Sequence, residues 1–98
     1  MQIDAIRQLG AAIRERRVEA QVSQVAFAAR ADLDRQYLSR LERGLQNPSM
    51  LVVMRIALEL DVTMAELLRG VTLDAKELRE VKRLSRGPRR PEDGAEAE

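Results

Sequence analysis

The sequence contains neither cysteine nor histidine, and this absence removes most of the side chains that catalytic and metal sites require. Without cysteine there is no disulfide framework and no thiolate ligand, and without either residue the usual nucleophile–base pairs are missing. The acidic side chains are assigned to helix caps, ion pairs or solvated positions. We therefore expect a protein that is not an enzyme and has no metal or cofactor.

Aromatic residues and long apolar runs are also scarce. Aromatics make up 2% of the chain, so the core must consist of Leu, Val, Ile, Met and Ala, which suits closely packed helices. No apolar run approaches the ~20 residues that span a membrane, and the N-terminus lacks a signal-peptide pattern. We therefore expect a cytoplasmic protein with no membrane partner.

The charges are unevenly distributed, although the net charge is only +1. In residues 1–72 every basic residue is arginine, which suits bidentate contacts to phosphate and guanine. A GC-rich genome would explain the same preference for arginine over lysine.

The 98 residues suffice for one domain, and a domain of this size gains stability by oligomerising.

Helical periodicity dominates, and no segment alternates as a strand does. We expect an all-α fold with helices at residues 3–20, 24–31, 35–43, 50–60 and 64–68. Four of them follow good N-caps: Ser23, Asp34, Ser49 and Thr63, the last in a capping box with Glu66. Gly44 is expected to end the third helix, because glycine tolerates a left-handed backbone. The residues expected to face the core include Ile6, Leu9, Ile13 and Val18 in the first helix, Phe27, Ala28 and Ala31 in the second, and Met50, Val53, Ala57 and Leu60 in the fourth.

The C-terminal part differs in composition. Residues 73–85 are compatible with a sixth helix, with Leu78, Val81 and Leu84 on one side. Residues 86–98 contain mainly glycine, proline and charged residues, and we expect them to form a disordered charged tail. The basic residues between Lys82 and Arg90 would add phosphate contacts, or the segment would only increase solubility.

The third helix contains the most informative pattern. On a wheel of ~100° per residue, its two apolar residues, Leu38 and Leu41, lie opposite a face made of Arg35, Gln36, Ser39, Arg40 and Arg43. Arginine reaches guanine edges, glutamine reaches adenine edges and serine reaches either. The alternative is a solvated helix face, but such faces usually mix lysine with glutamate, and this one contains no acid.

The span from residue 9 to residue 68 resembles the repressor-type helix-turn-helix family (Xre/Cro/C1-like). The similar stretches are Leu9-Gly10-Ala11-Ala12-Ile13-Arg14, Val22-Ser23-Gln24, Tyr37-Leu38-Ser39-Arg40-Leu41-Glu42-Arg43-Gly44, Asn47-Pro48-Ser49, Leu60-Asp61-Val62 and Leu67-Leu68. The resemblance implies a compact five-helix, repressor-like DNA-binding domain at residues 1–72, with double-stranded DNA as the partner. Leu33-Asp34-Arg35-Gln36-Tyr37 also resembles the controller proteins of restriction–modification operons, although ordinary regulators share this pattern.

The resemblance implies a role for individual residues. The expected base contacts are Arg35, Gln36 and Arg40, and the expected DNA backbone contacts are Gln24, Tyr37, Ser39, Arg43 and Asn47. The alternatives are a plain surface residue for Gln24 and partial core packing for Tyr37. Arg17 and Glu42 would form a structural ion pair between the first and third helices. Asp32 replaces the glycine that is usual at the turn, and we expect modest strain there.

The fourth predicted helix is apolar around most of its circumference, since only Arg55 and Glu59 are polar. A helix on one core needs one apolar stripe, so the excess indicates an interface. The expected homodimer interface comprises Leu51, Val52, Leu58, Ala65, Leu68 and Arg69. We expect a transcriptional repressor or autoregulator with a near-palindromic operator. The alternative is an antitoxin-like or other interaction subunit that binds a protein through the fourth helix or the C-terminal segment.

Overall fold

The computed structural model describes residues 3–81, which form six helices and no strand. The helices are α1 (Asp4–Glu19), α2 (Gln24–Arg30), α3 (Arg35–Glu42), α4 (Met50–Leu60), α5 (Met64–Leu68) and α6 (Ala75–Glu80). The all-α prediction is confirmed. In this part of the chain no helix has the length and apolar character needed to cross a bilayer. The predicted tail, residues 86–98, lies outside the described residues.

All four predicted N-caps are formed. The side chains of Ser23 and Ser49 accept hydrogen bonds from the amides three residues later, at 3.1 and 3.2 Å. Thr63 and Glu66 form a reciprocal capping box at α5. Each cap satisfies an amide that has no partner within its own helix, which is why these helices begin where the sequence predicts.

Helices α1 to α4 all end in a tight turn around a left-handed residue: Gln21, Asp32, Gly44 and Asp61, with φ between 58° and 78°. After Gly44, for example, the amide of Leu45 donates to the carbonyl of Arg40 at 2.9 Å. This hydrogen bond turns the chain back onto the helix end. Gly44 ends α3 as predicted, and Asp32 adopts the expected conformation at the turn between α2 and α3.

The core lies where α1 and α3 pack against each other and against α2, α4 and α5. Its fully buried side chains are Ile13, Phe27, Leu38, Leu41, Ile56 and Leu67. The predicted inner stripe of α2 is confirmed, since Phe27, Ala28 and Ala31 are all buried. Both leucines of α3 are buried too, so the opposite face of α3 is turned outward.

Gly10 sets the distance between α1 and α3. A Cβ atom at this position would lie 2.9 Å from the backbone oxygen of Glu42 and closer still to that of Leu41. A side chain there would clash with the backbone of α3, which cannot rotate away. Glycine is therefore required for α3 to lie at its observed distance from α1.

Two core predictions were wrong. Val18 is 49% exposed, and Arg17 lies at the inner position instead. Arg17 is four residues after Ile13 and so lies above it on the same helix face, whereas Val18 is displaced by a further ~100°. Met50 is 64% exposed, at the first position of α4, where its neighbours Ser49 and Leu51 are exposed too. Ile56 is buried, although the sequence analysis did not place it in the core.

The sixth helix is shorter than the predicted 73–85, since it begins at Ala75 and ends at Glu80. Residues 82–85 lie outside the described part. No residue of α6 is buried, but polar contacts connect this segment to α1. Glu77 Oε1 accepts a hydrogen bond from the Asp4 amide at 2.9 Å, and the Thr72 amide donates to Gln8 Oε1 at 2.8 Å.

Candidate nucleic-acid interface

The outward face of α3 forms an open recess of about 300 Å³. Its lining residues are Arg35, Gln36, Ser39, Arg40 and Arg43. The structure thus brings together the three residues predicted to contact bases and two of those predicted to contact the DNA backbone. Leu38 and Leu41, on the opposite side, are 0% exposed and fix the direction of this face.

The two acidic residues of this segment do not line the recess, because both carboxylates are bound elsewhere. Asp34 caps α3, and its Oδ1 accepts from the amide of Gln36 at 2.7 Å. The side chain of Glu42 is 1% exposed and is paired with Arg17. Three arginines therefore line a recess whose chemistry suits an anionic partner with acceptor groups.

Glu42 connects α1, α2 and α3 at one buried carboxylate. Arg17 donates from Nε to Oε2 at 2.6 Å and from Nη2 to Oε1 at 3.0 Å. Gln24 Nε2 also donates to Oε1, at 3.0 Å. The hydrogen bonds to Glu42 raise the pKa of the Arg17 guanidinium, so Arg17 keeps its positive charge at neutral pH. The predicted pairing of Arg17 with Glu42 is observed.

Gln24 lies at the first position of α2, and the bond to Glu42 fixes its amide group. A side-chain amide carries two N–H donors, so a second donor remains for an external acceptor. The predicted phosphate contact of Gln24 is compatible with this arrangement and stays a prediction.

The other predicted backbone-contact residues differ in their surroundings. Tyr37 is half-buried and packs against the core, which corresponds to the alternative considered for it. Arg43 Nε donates to the Ser39 carbonyl at 3.4 Å, at the end of α3. Asn47 is exposed and lies beside a separate apolar groove with Pro48, and it does not line the recess.

One contact at the recess was missed by the sequence reasoning. Arg40 Nε donates to Gln46 Oε1 at 3.1 Å, between two half-buried side chains. Gly44 indicates this proximity in the sequence, because a left-handed residue after a helix turns the following residues back toward the helix end. Gln46 is thereby brought beside a residue six positions earlier.

A second surface lies on α4 and α5, away from the core. Leu51 and Leu58, both predicted interface residues, are 55% and 76% exposed. Ala65 and Arg69 are also exposed. Val52 and Leu68 are half-buried and pack partly against the core of their own chain. Met50 and Met54, which the prediction did not include, extend the exposed apolar area.

Comparison with known proteins identifies relatives over the same region. The helix-turn-helix family matches residues 13–67, which is more than half of the chain. The control protein C.MunI of Mycoplasma sp is 38% identical over 56 residues, which are 57% of this chain and 76% of that protein.

Two solved structures have the same fold with recognisable sequence similarity. The restriction–modification controller protein C.AhdI from Aeromonas hydrophila has a TM-score of 0.62 and 34% identity, and the match covers 63% of this chain and 94% of that chain. The biofilm regulator SinR, solved in complex with DNA, has a TM-score of 0.58 and 36% identity, over 61% and 97% of the two chains. The protein belongs to the Xre-like helix-turn-helix family of DNA-binding transcriptional regulators.

Proposed function

We propose that this regulator is a sequence-specific repressor or autoregulator that binds a near-palindromic operator as a homodimer. The observation that carries the proposal is the recess on α3, where Arg35, Gln36 and Arg40 lie side by side. These side chains match the donor and acceptor patterns that guanine and adenine present in the major groove. The solved complex of SinR with DNA supports a DNA-bound role for this fold.

Base contacts and phosphate contacts have different consequences in this proposal. Arg35, Gln36 and Arg40 select the sequence, and each good bidentate contact contributes ~1–3 kcal/mol of discrimination. Gln24, Tyr37, Ser39, Arg43 and Asn47 contact the DNA backbone and provide affinity. The contribution of Arg43 falls as salt increases, because its pairing with a phosphate releases counterions from the DNA and this release is less favourable at higher salt.

The exposed surface on α4 and α5 is proposed to hold two copies together. Leu51 and Leu58 expose most of their apolar area, and an apolar surface of this kind favours burial against a partner. A two-fold axis at this surface would place the two α3 helices ~34 Å apart, one turn of B-DNA. The operator then contains two inverted half-sites.

The relatives suggest a biological setting. C.MunI is a control protein, and C.AhdI is a controller protein of restriction–modification. We propose the same setting for this chain, in which the protein controls a restriction–modification operon.

Selection of bound sequences from a random DNA pool tests the proposed function. The expected consensus is an inverted repeat. The Arg35→Ala variant should lose preference at one base pair in each half-site, whereas Gln24→Ala should weaken binding to all sequences alike. Equal loss on every sequence for Arg35→Ala, or a pool without any consensus, would contradict base reading by α3.

The dimer is tested separately by sedimentation equilibrium of Leu58→Glu. Leu73→Glu is a matched control, because both leucines are 76% exposed and only Leu58 lies on α4. We expect Leu58→Glu to be monomeric and Leu73→Glu to remain dimeric. A monomeric wild-type protein would refute the dimer and leave the α4 surface for a different protein partner.

A further inference from the structure

Among residues 3–81, Arg40 is the one predicted base-contacting residue whose side chain is bound by a residue outside α3. Its Nε donates to Gln46 Oε1 at 3.1 Å, and both side chains are half-buried. Partial burial limits competition from water and therefore favours this hydrogen bond in the free protein. Part of the Arg40 side-chain conformation is therefore already fixed before DNA binds.

The backbone explains why Gln46 lies at this position. Gly44, with φ of 78°, lets the chain reverse after α3. The amides of Gly44 and Leu45 then donate to the carbonyls of Leu41 and Arg40, at 3.0 and 2.9 Å. These two bonds form the usual pattern of a glycine-terminated helix and hold residue 46 against the last turn of α3.

The bond occupies one particular part of the guanidinium group. An arginine carries five N–H donors, and with Nε–H occupied the four on Nη1 and Nη2 remain. A bidentate contact to guanine O6 and N7 requires two donors in a fixed plane. An arginine that is free to rotate can reach a phosphate instead, and contacts to phosphate carry no direct sequence information.

We propose that Gln46 is a positioning residue that fixes the Arg40 guanidinium for base reading and thereby determines specificity at one base pair of each half-site. This inference rests on the proposed function, because it assumes that Arg40 reads a base. Gln46 acts through Arg40. It raises discrimination between sequences, and it lowers the ordering that Arg40 must undergo on binding.

The test compares two variants of similar side-chain length. Gln46→Met removes the acceptor oxygen, and Gln46→Glu keeps an acceptor for Arg40 Nε. The base pair that Arg40 reads is defined by the preference that is lost in Arg40→Ala. At that base pair, we expect Gln46→Met to lower discrimination about three- to tenfold, the contribution of one typical intramolecular hydrogen bond at a partly exposed site.

The preference at the base pair read by Arg35 should remain unchanged in both variants and serves as the internal control. Gln46→Glu should keep the preference at the Arg40 base pair, while its negative charge weakens binding to all sequences. In an Arg40→Ala background, Gln46→Met should have no further effect on discrimination. A remaining effect there would show that Gln46 contacts DNA itself and would overturn the proposal.

A measurement without DNA separates this inference from the proposed function. Proton exchange at Arg40 Nε–H, followed by NMR on ¹⁵N-labelled protein, should be slow in the wild type and in Gln46→Glu, and fast in Gln46→Met. Equal exchange in all three proteins, or unchanged discrimination in Gln46→Met, overturns the positioning role while the regulator function stands. A wild-type protein that selects no sequence overturns both.

Discussion

Replacing Gly10 by alanine tests the close approach of α1 and α3 that supports the proposed DNA-binding face. The new Cβ would lie 2.9 Å from the backbone oxygen of Glu42 and closer to that of Leu41, whereas ordinary contact begins at 3.4 Å. Both oxygens belong to the backbone of α3, so the two helices must separate by about 1 Å to restore normal contact.

The expected cost follows from two opposing contributions. Overpacking of this kind costs about 1–3 kcal/mol, and the rigid backbone neighbours place Gly10→Ala at the upper end. Alanine is favoured over glycine inside a helix by about 1 kcal/mol. The net loss is therefore about 2 kcal/mol, which lowers the Tm by roughly 8–16 °C in a domain of this size.

The measurement is thermal and urea unfolding, followed by circular dichroism at one fixed protein concentration, because association would shift the apparent stability. Gly70→Ala is the matched control, since a Cβ there meets nothing within 4 Å, and it should change stability by less than about 0.5 kcal/mol. If Gly10→Ala melts at or above the wild-type temperature, the helix contact is not as tight as described.

Three further predictions concern polar groups. Glu42→Gln leaves the Arg17 charge buried without its counterion and should lower the free energy of unfolding in urea by about 3 kcal/mol. Wild-type stability of this variant would contradict the structural role of the pair. Asp32 has a left-handed backbone conformation, which glycine tolerates best and alanine poorly. Asp32→Gly should therefore raise the free energy of unfolding by up to about 1 kcal/mol, and Asp32→Ala should lower it. Equal Tm values for the two variants would contradict this prediction. Hydrogen bonds from Thr63 lower the pKa of Glu66 in the folded protein. The ionised carboxylate therefore stabilises the fold at any pH above the ordinary glutamate pKa of ~4.3. This contribution to stability is lost as the pH falls through the lowered pKa of the folded protein. Glu66→Gln should therefore differ most from the wild type at neutral pH and converge with it in acid, and a constant difference in Tm between pH 7 and pH 2 would refute that linkage.

The helix boundaries could be predicted closely because they depend on neighbours in sequence. Ser23, Asp34 and Ser49 each satisfy an amide two or three residues away, and Gly44 acts on the residues beside it. The exposed face of α3 could be predicted for the same reason, since two leucines among polar residues leave one orientation for the helix.

The pattern of α4 predicted its orientation only in part, since Val53 and Ala57 are buried as expected but Met50 is exposed. Nearly every residue of this helix is apolar, so its periodicity does not distinguish Met50, which is exposed, from Ile56, which is buried. The positions of Gln46 and Asn47 depend on how the loop after α3 folds in three dimensions. One lies beside Arg40 and the other beside an apolar groove, and a helical wheel contains no information about either position.

The two ends of α3 bear on how the specificity of this regulator can change during evolution. Asp34 and Gly44 bound the helix, and Leu38 and Leu41 attach it to the core, so none of these four belongs to the outward face. Substitutions on that face leave the caps and the buried contacts intact. If this face reads the operator as proposed, new operators are accessible through single mutations that keep the fold, and duplicated copies of the gene can diverge in target without passing through unfolded intermediates.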